Sequence, residues 1–313
     1  MRLAAIDIGS NAARLLISEA TTNDNGKSQF QKLNLVRVPL RLGFDVFADK
    51  TISGQKEEMI IKTIRSYKLL TEVYEVEHMR ACATSAMRDA TNGAEIIDKV
   101  KQDTGIEIEI ITGDAEATLI YENHVAENMD KEHSYLYIDV GGGSTELTFF
   151  ANGELQFKRS FNIGTIRLLK KQVDEFMWDE MRDFIRRETK GHDGDMVAIG
   201  SGGNINKVFS LSKRKEGKPL QLDLLKDYLR ELGSFPLEER MRLYKMREDR
   251  ADVIVPALSI YVNVMKWANI DDIYVPKIGL ADGLIQHLFE EVRARQSAAM
   301  GNGETRDVLT FNF

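Results

Sequence analysis

The sequence predicts an α/β protein built from two related domains, and three observations carry that prediction. Short apolar runs ending in glycine alternate along the chain with longer stretches of helical periodicity. The segment Ile6-Asp7-Ile8-Gly9 returns as Ile138-Asp139-Val140-Gly141, each time as strand, acid, glycine turn and second strand. At 313 residues the chain has room for two domains of ordinary size, and the repeat distance is too long for a solenoid unit.

Taken in order, Leu3 to Ile8 is an apolar run closed by Gly9 and is expected as a buried strand, with Ala13 to Ile17 as its hairpin partner. Ser53 is placed to cap a helix reaching about Glu75, because Ile60, Ile64, Tyr67, Leu70 and Tyr74 form one apolar stripe. Met79 to Thr84 is the next expected strand, and Ala94 to Thr104 a helix closed by Gly105. Ile106, Ile108 and Ile110 alternate with Glu107 and Glu109 in the pattern of a half-buried strand. A further helix opens near Asp114.

In the second half, Tyr135 to Val140 and Leu147 to Phe150 are strands around Gly141, Gly142 and Gly143. Met196 to Ile199 is a strand, followed by the loop Gly200 to Asn204 and a helix from about Ile205. Helices fill much of 220–247, and helices at Ala251 to Trp267 and Gly283 to Arg295 flank a strand at Asp272 to Val275. The tail GNGETRDVLTFNF is expected to fray. A polar seam near 122–134 divides the chain into a first domain, 1–123, and a second, 124–287, with 288–313 placed back against the first.

Composition excludes several function classes. Lys and Arg number 42 against 49 Asp and Glu, a net charge of −7, so a generic electrostatic grip on nucleic acid or an anionic membrane is not expected. Any polyanionic ligand must meet a local basic patch. The lone cysteine, Cys82, can form neither an internal disulfide nor a cysteine-rich zinc site, which fits a reducing, cytoplasmic setting. The opening MRLAAIDIGS is too short for a signal-peptide core, and the most apolar stretch, Val253 to Trp267, is interrupted by Pro256, Asn263 and Lys266, so no membrane segment is expected.

The chemistry concentrates in the repeated turns. An Asp at the end of a buried strand, followed by glycine, sets a carboxylate beside exposed backbone N–H groups, and such a turn can hold a metal and a phosphate together. Asp7 and Asp139 occupy that position, and Ser10, Asn11, Ser144 and Thr145 add short polar donors in the corresponding loops. Arg14, Arg88 and Arg167 offer forked donors matched to phosphate oxygens, although an exposed arginine is usually only solvated. Glu116 lies in the first turn of a helix, where the dipole alone favours an acid by ~0.3–1 kcal/mol. An ionised carboxylate there can also orient and deprotonate water. Glu146, after the triple glycine, faces either a metal through water or solvent on a hairpin.

Other motifs are absent or incomplete. The loop at Gly200 lacks the third glycine of a dinucleotide fingerprint, since position 205 is Ile205. No GxxxxGK[ST] or HExxH stretch occurs, and Ser201 has no GxSxG elbow. The run from Lys213 to Lys218 is most simply a solvated loop, with extension of a basic track for a long anion as the alternative.

Six segments together, IDIGSNAARLLI (6–17), ATSAMRDATN (83–92), ITGDAEATLIYE (111–122), YIDVGGGSTEL (137–147), NIGTIRL (162–168) and IGSGGN (199–204), resemble the exopolyphosphatase and guanosine pentaphosphate phosphohydrolase family over about residues 1–290. The resemblance implies a pair of actin-like, ribonuclease-H-like domains with the active site in the cleft between them. It also implies magnesium, with manganese equally suited to hard oxygen ligands, and removal of terminal phosphate from polyphosphate or of the 5′ γ-phosphate of guanosine pentaphosphate. Glu116 matches the family's catalytic glutamate, with Arg88 as the second catalytic candidate. Asp7, Asp139 and Glu146 match its metal-site acids. Asp7, Gly9, Ser10, Asn11 and Arg14, the second loop Gly141, Gly142, Gly143, Ser144 and Thr145, and Arg167, Gly202 and Asn204 match its phosphate-binding positions.

There are departures from the family pattern: Ala12 replaces a common serine, Asn204 a usual threonine, and Gly279-Leu280-Ala281-Asp282-Gly283 a typical Gly-Leu-Arg-Glu-Gly. The chain looks like the short, two-domain form. Two rival readings remain from the residues: an ATP-dependent phosphotransferase on the same architecture, and a noncatalytic sensor of guanosine tetraphosphate or polyphosphate. No nucleic-acid or membrane partner is expected, and the oligomeric state is left open, with a homodimer through the second half as the assembly considered.

Overall fold

The computed structural model describes residues 1–23, 28–116, 118–119, 133–192, 196–276 and 279–304. Arg2–Ile8 (β1) and Ala13–Thr22 (β2) form an antiparallel hairpin, extended on one side by Ser28–Val38 (β3). His78–Ala83 (β4) and Glu109–Ile110 (β5) add in parallel on the other side, so the first sheet runs β3-β2-β1-β4-β5. The second sheet begins with Ser134–Val140 (β6), Thr145–Ala151 (β7) and Glu154–Phe161 (β8) as an antiparallel meander, and Met196–Ser201 (β9) joins β6 in parallel. Leu220–Gln221 (β10) and Asp272–Tyr274 (β11) complete it in the order β10-β11-β9-β6-β7-β8. Read from the hairpin edge, β8-β7-β6-β9-β11 repeats β3-β2-β1-β4-β5. The duplication visible in one tetrapeptide therefore extends to the topology of both sheets, and the architecture is two α/β units, as the alternation predicts.

Both faces of β1 are covered, which is why Leu3 to Ile8 reads as an unbroken apolar run rather than an alternating one. Ala4, Ile6 and Ile8 pack with Ile60, Ile64 and Tyr67 of the helix Gly54–Val73 and with Ile96 and Val100 of the helix Gly93–Thr104. Leu3 and Ala5 on the opposite face pack with Leu284, Ile285, Leu288 and Phe289 of the helix Leu280–Glu304. Each buried leucine, isoleucine, valine or phenylalanine among them contributes about 1.5–3 kcal/mol. In the second unit, Leu136, Ile138, Leu147 and Phe149 pack with Leu258, Tyr261 and Met265 of the helix Ile254–Trp267. The two units also share core: Ile166 and Val253 belong to the apolar cluster of the first.

Several expectations are corrected. β3 has no counterpart among the expected elements, because it is an outer strand whose apolar residues are interleaved with Gln, Lys, Asn and Arg. Ile106 and Ile108 are buried, but only Glu109–Ile110 pairs with β4, and Ile110 is exposed. Ser53 occupies the cap position of its helix, yet its hydroxyl bonds Asp45 Oδ2 at 2.5 Å instead of a helix N–H. The helix expected from Ile205 starts at Gly203. The stretch from 251 is two helices, Glu248–Ala251 and Ile254–Trp267, and Pro256 is tolerated because it falls in the first turn of the second, whose N–H groups have no helical partner. The last helix runs to Glu304, so the tail's first residues are helical, while 305–313 lie outside the described residues, as do residues 122–132 of the expected seam. Among the described residues, no helix is long and apolar enough to cross a membrane. Cys82 is a buried free thiol whose pKa is pushed up to about 12, chiefly by burial, so it is not a nucleophile.

Candidate active site

The two equivalent hairpins close in the same way. Gly9 N donates to Ala12 O at 3.0 Å in the first, and Gly141 N donates to Ser144 O at 2.9 Å in the second. The first turn is anchored from behind by Gly43 N to Ser10 O (2.9 Å) and Arg41 N to Asn11 O (2.9 Å). The second is anchored by Thr165 N to Gly141 O (3.0 Å) and Ile166 N to Gly142 O (2.8 Å). The turns abut one another: a Cβ on Gly142 would stand 2.8 Å from Ser10 Cβ, and Ser10 Oγ lies 2.8 Å from Ser85 Oγ. A third loop, Gly202-Gly203-Asn204, begins the helix Gly203–Ser212, with Gly202 at φ 104, a conformation that favours glycine. These three loops and Arg14 line a cleft with a cavity volume of ≈ 940 Å³.

Three acids meet at the cleft, Glu116 and Asp139 in its lining and Glu146 buried against them. Glu116, Asp139 and Glu146 each offer a carboxylate oxygen within 4.8 Å of the other two. Asp139 and Glu146 face each other across the β6–β7 ladder. Glu146 is buried and accepts from Ser144 Oγ at 2.6 Å and Ser160 Oγ at 3.0 Å. Glu116 arrives from the helical turn at 113–116, whose start is capped by Thr112 Oγ1 accepting from Ala115 N at 3.1 Å. That helix can approach because Gly113 has no side chain: a Cβ there would lie 2.8 Å from Ser160 Cβ and 3.6 Å from Glu146 Oε1.

Crowding acids away from water raises their proton affinity. Burial first, then Asp139, pushes Glu146 from 4.5 up to about 7. Burial raises Glu116 well above the carboxylate range, helped by Glu146, Asp139 and Asp7 and opposed by Arg88. Asp139 is likewise raised by burial, against the pull of Arg14. Such a set of hard oxygen donors with uncompensated charge fits magnesium or manganese. Asp7 stands apart from the trio: its Oδ2 accepts from Arg14 Nη1 at 2.6 Å. Burial disfavours the Arg14 charge, but Asp7, Asp139 and Glu116 together hold its pKa above the ordinary value.

The other expected site residues divide. Asp7, Gly9, Ser10, Asn11, Arg14, Glu116, Asp139, Gly141, Gly142, Ser144, Gly202 and Asn204 all line the cleft. Arg88 donates from Nη1 to Ile111 O at 2.7 Å and acts electrostatically on Glu116 and Glu146. Thr145 turns its hydroxyl to Ile163 O at 2.6 Å, a structural bond. Arg167 is not a cleft-lining residue: its Nε donates to Gly143 O at 2.7 Å, its Nη2 to Asp89 Oδ2 at 2.5 Å, and its guanidinium stacks on Phe47 at 4.2 Å. The phosphate-binding expectation for Arg167 is corrected accordingly, because its donors are committed to bridging the units.

Sequence reasoning missed Ser160, Arg37 and Arg250. Arg37 and Arg250 line the cleft beside Arg14, with Arg37 paired to Asp249 and Arg250 Nη1 donating to Asn204 Oδ1 at 2.6 Å. Burial, Arg37 and Arg14 lower the Arg250 pKa to about 10. No short-range pattern marks these residues; only the fold brings them to the loops.

The topology defines an actin-like, two-domain α/β architecture with an acid-lined cleft at its glycine loops. A family model described as the Ppx/GppA phosphatase family matches residues 21–291, and the chain belongs to that family. The solved Ppx/GppA family member from Aquifex aeolicus superposes with a TM-score of 0.72 at 26% identity, covering 93% of this chain and 98% of that one. An exopolyphosphatase from Cytophaga hutchinsonii shares the fold, with a TM-score of 0.75 at 23% identity over 90% of this chain and 96% of that one. A bifunctional 3-dehydroquinate synthase/phosphatase from Fusobacterium nucleatum is 36% identical over 176 residues, which are 54% of this chain and 26% of that protein.

Proposed function

We propose that the protein hydrolyses phosphoanhydrides, releasing terminal orthophosphate from inorganic polyphosphate or the 5′ γ-phosphate of guanosine pentaphosphate. The observation that carries this reading is the placement of Glu116 against Asp139 and Glu146 at a cleft lined by glycine loops and Arg14. The barrier to such hydrolysis is the negative charge that repels an incoming nucleophile, so positioning and electrostatics dominate. The turn N–H groups at Ser10, Asn11 and Gly142, with Arg14, grip the terminal phosphoryl group. Asp139 and Glu146 would hold magnesium or manganese, which when bound supplies positive charge to the phosphate oxygens. Asp7 keeps Arg14 aimed into the cleft. Glu116 orients the attacking water and takes its proton, and a carboxylate whose proton affinity is raised by burial and by neighbouring acids is the better base for it.

The test is phosphate release by wild type and Glu116→Gln from tripolyphosphate, long-chain polyphosphate, guanosine pentaphosphate and ATP, with magnesium. A placed base is typically worth ~10²–10⁴-fold, so Glu116→Gln should lose about that much turnover while retaining substrate binding. Equal turnover by both proteins would remove Glu116 from the chemistry. Binding without release from any donor would favour the sensor reading instead.

A further inference from the structure

The two carboxylate oxygens of Glu146 stand in different surroundings. Oε1 accepts from Ser144 Oγ at 2.6 Å and from Ser160 Oγ at 3.0 Å. Ser160 is the residue opposite Glu146 on the β7–β8 ladder, so the second bond comes from the sheet itself rather than from the glycine loop. On a third side Oε1 faces Gly113, where a Cβ would stand 3.6 Å from it and 2.8 Å from both Cβ and Oγ of Ser160. Each carboxylate oxygen has two lone-pair directions, and the two hydroxyl donors fill both at Oε1. Among the described residues, Oε2 receives no donor.

We infer that Ser160 is a positioning residue that confines a cation to the single oxygen Oε2 of Glu146, and so favours a small octahedral cation over calcium. The inference rests on the reading that Asp139 and Glu146 hold the metal, and goes beyond it by assigning the choice of metal to a neighbour that does not touch it. Magnesium demands near-ideal octahedral geometry, whereas calcium gathers more oxygens at longer distances and accepts a carboxylate through both of its oxygens. The short span between the oxygens of one carboxylate strains octahedral angles but suits the looser shell of calcium. With both lone pairs of Oε1 committed to hydroxyls, the two-oxygen mode is closed. Ser144 alone would leave one lone pair open, so Ser160 completes the block. The simpler account is a serine that bonds the nearest acceptor and holds Glu146 in place, and it predicts no change in the ranking of cations when the hydroxyl is removed.

The test measures cation binding by the whole chain with metal alone, at a pH above about 7 so that Glu146 is ionised. Mn2+ binding is read from the free-ion electron paramagnetic resonance signal, and Mg2+ and Ca2+ from their displacement of bound Mn2+, in wild type and in Ser160→Ala. Losing a partner that orients a metal ligand typically costs ~10–100-fold in affinity, so Ser160→Ala should raise the Kd for Mg2+ and Mn2+ about tenfold. The Kd for Ca2+ should hold or fall, because the freed lone pair lets calcium take both oxygens, and the ratio of the Ca2+ to the Mg2+ Kd should drop about tenfold. Ser144→Ala removes the other donor to the same oxygen and should move the ratio in the same direction. Thermal melting without metal reports that each variant is folded. Equal weakening of all three cations, the result expected if Ser160 only keeps Glu146 in place or ionised, would overturn the inference, as would unchanged affinities in folded Ser160→Ala. If wild type binds no divalent cation, the metal-site reading falls and the inference with it; if wild type binds and the ratio holds in both variants, the inference alone falls.

Discussion

Arg14 and Glu146 occupy the same position in two equivalent hairpins: Arg14 stands opposite Asp7 on β2, and Glu146 stands opposite Asp139 on β7. One duplicated scaffold thus makes an acid–base pair in one copy and an acid–acid pair in the other. The first copy presents a fixed cation, held at 2.6 Å by its own aspartate, and the second presents excess negative charge. A phosphoryl group and a divalent cation are complementary to the two halves respectively.

Removing Arg14 should therefore cost stability as well as activity. Asp7 is almost wholly buried, and deleting its partner leaves an uncompensated charge, a loss of roughly 2–4 kcal/mol with the lower end favoured because the Arg14 side chain is about a third exposed. Urea denaturation of Arg14→Met should show this loss, and Arg14→Met/Asp7→Asn should recover part of it. A single variant as stable as wild type would mean that the pair does not compensate the burial of Asp7.

The acid trio makes a prediction of opposite sign. Glu146 has a folded pKa near about 7 against an ordinary 4.5, and Glu116 and Asp139 are raised too. The folded state then binds more protons than the unfolded state across that window, so stability is highest below about 4.5 and falls as pH rises toward about 7 for this contribution. Without divalent metal, the melting temperature should drop on going from mildly acidic to mildly alkaline pH, and magnesium should restore more of it at the alkaline end. Glu146→Gln should flatten the profile. A profile rising through the same window, unchanged in that variant, would contradict the assignment.

What was legible in the sequence follows from how local the cause is. A strand buried on both faces, an acid and a glycine turn leave their mark within nine or ten residues, so both hairpins could be read directly, whereas Glu116 and the loop at Gly202 stood out only through the family resemblance. β3 could not, because an outer strand needs no apolar continuity. Arg37 and Asp249 are 212 positions apart and meet only through the packing of the two units. Ser160 supports Glu146 across a β-ladder, and no local pattern distinguishes it from any other serine on an outer strand.

Gly164 offers a steric test of the second loop. A Cβ there would lie 2.5 Å from Gly142 O, 2.5 Å from Gly143 C and 2.6 Å from Gly142 C, all backbone atoms that cannot swing aside. Gly164→Ala must displace the loop, and misplacement on the order of 1 Å can cost about 10²-fold in rate. Gly54→Ala is the control: nothing lies within 4 Å of its Cβ, and alanine at the start of a helix should leave turnover unchanged and stability equal or slightly higher. Wild-type turnover in Gly164→Ala would show that the loop geometry is not what the chemistry needs.

Arg167 distinguishes a bridge from a ligand. Its fork joins Gly143 O of the second loop to Asp89 of the first unit while its face covers Phe47. A lysine supplies the charge but neither the fork nor the flat face, so Arg167→Lys should lose stability by about 1–3 kcal/mol. Asp89→Ala should weaken the same bridge from its other end, and the two substitutions should be non-additive by about 0.5 kcal/mol or more in a double-mutant cycle. If Arg167 instead touched substrate, Arg167→Lys would raise KM without altering the melting temperature, and Asp89→Ala would leave KM unchanged. The bridge predicts the reverse pattern, a shared loss of stability with kcat falling as the second loop loosens, and the cycle measured by thermal melting and by kcat on tripolyphosphate decides between them.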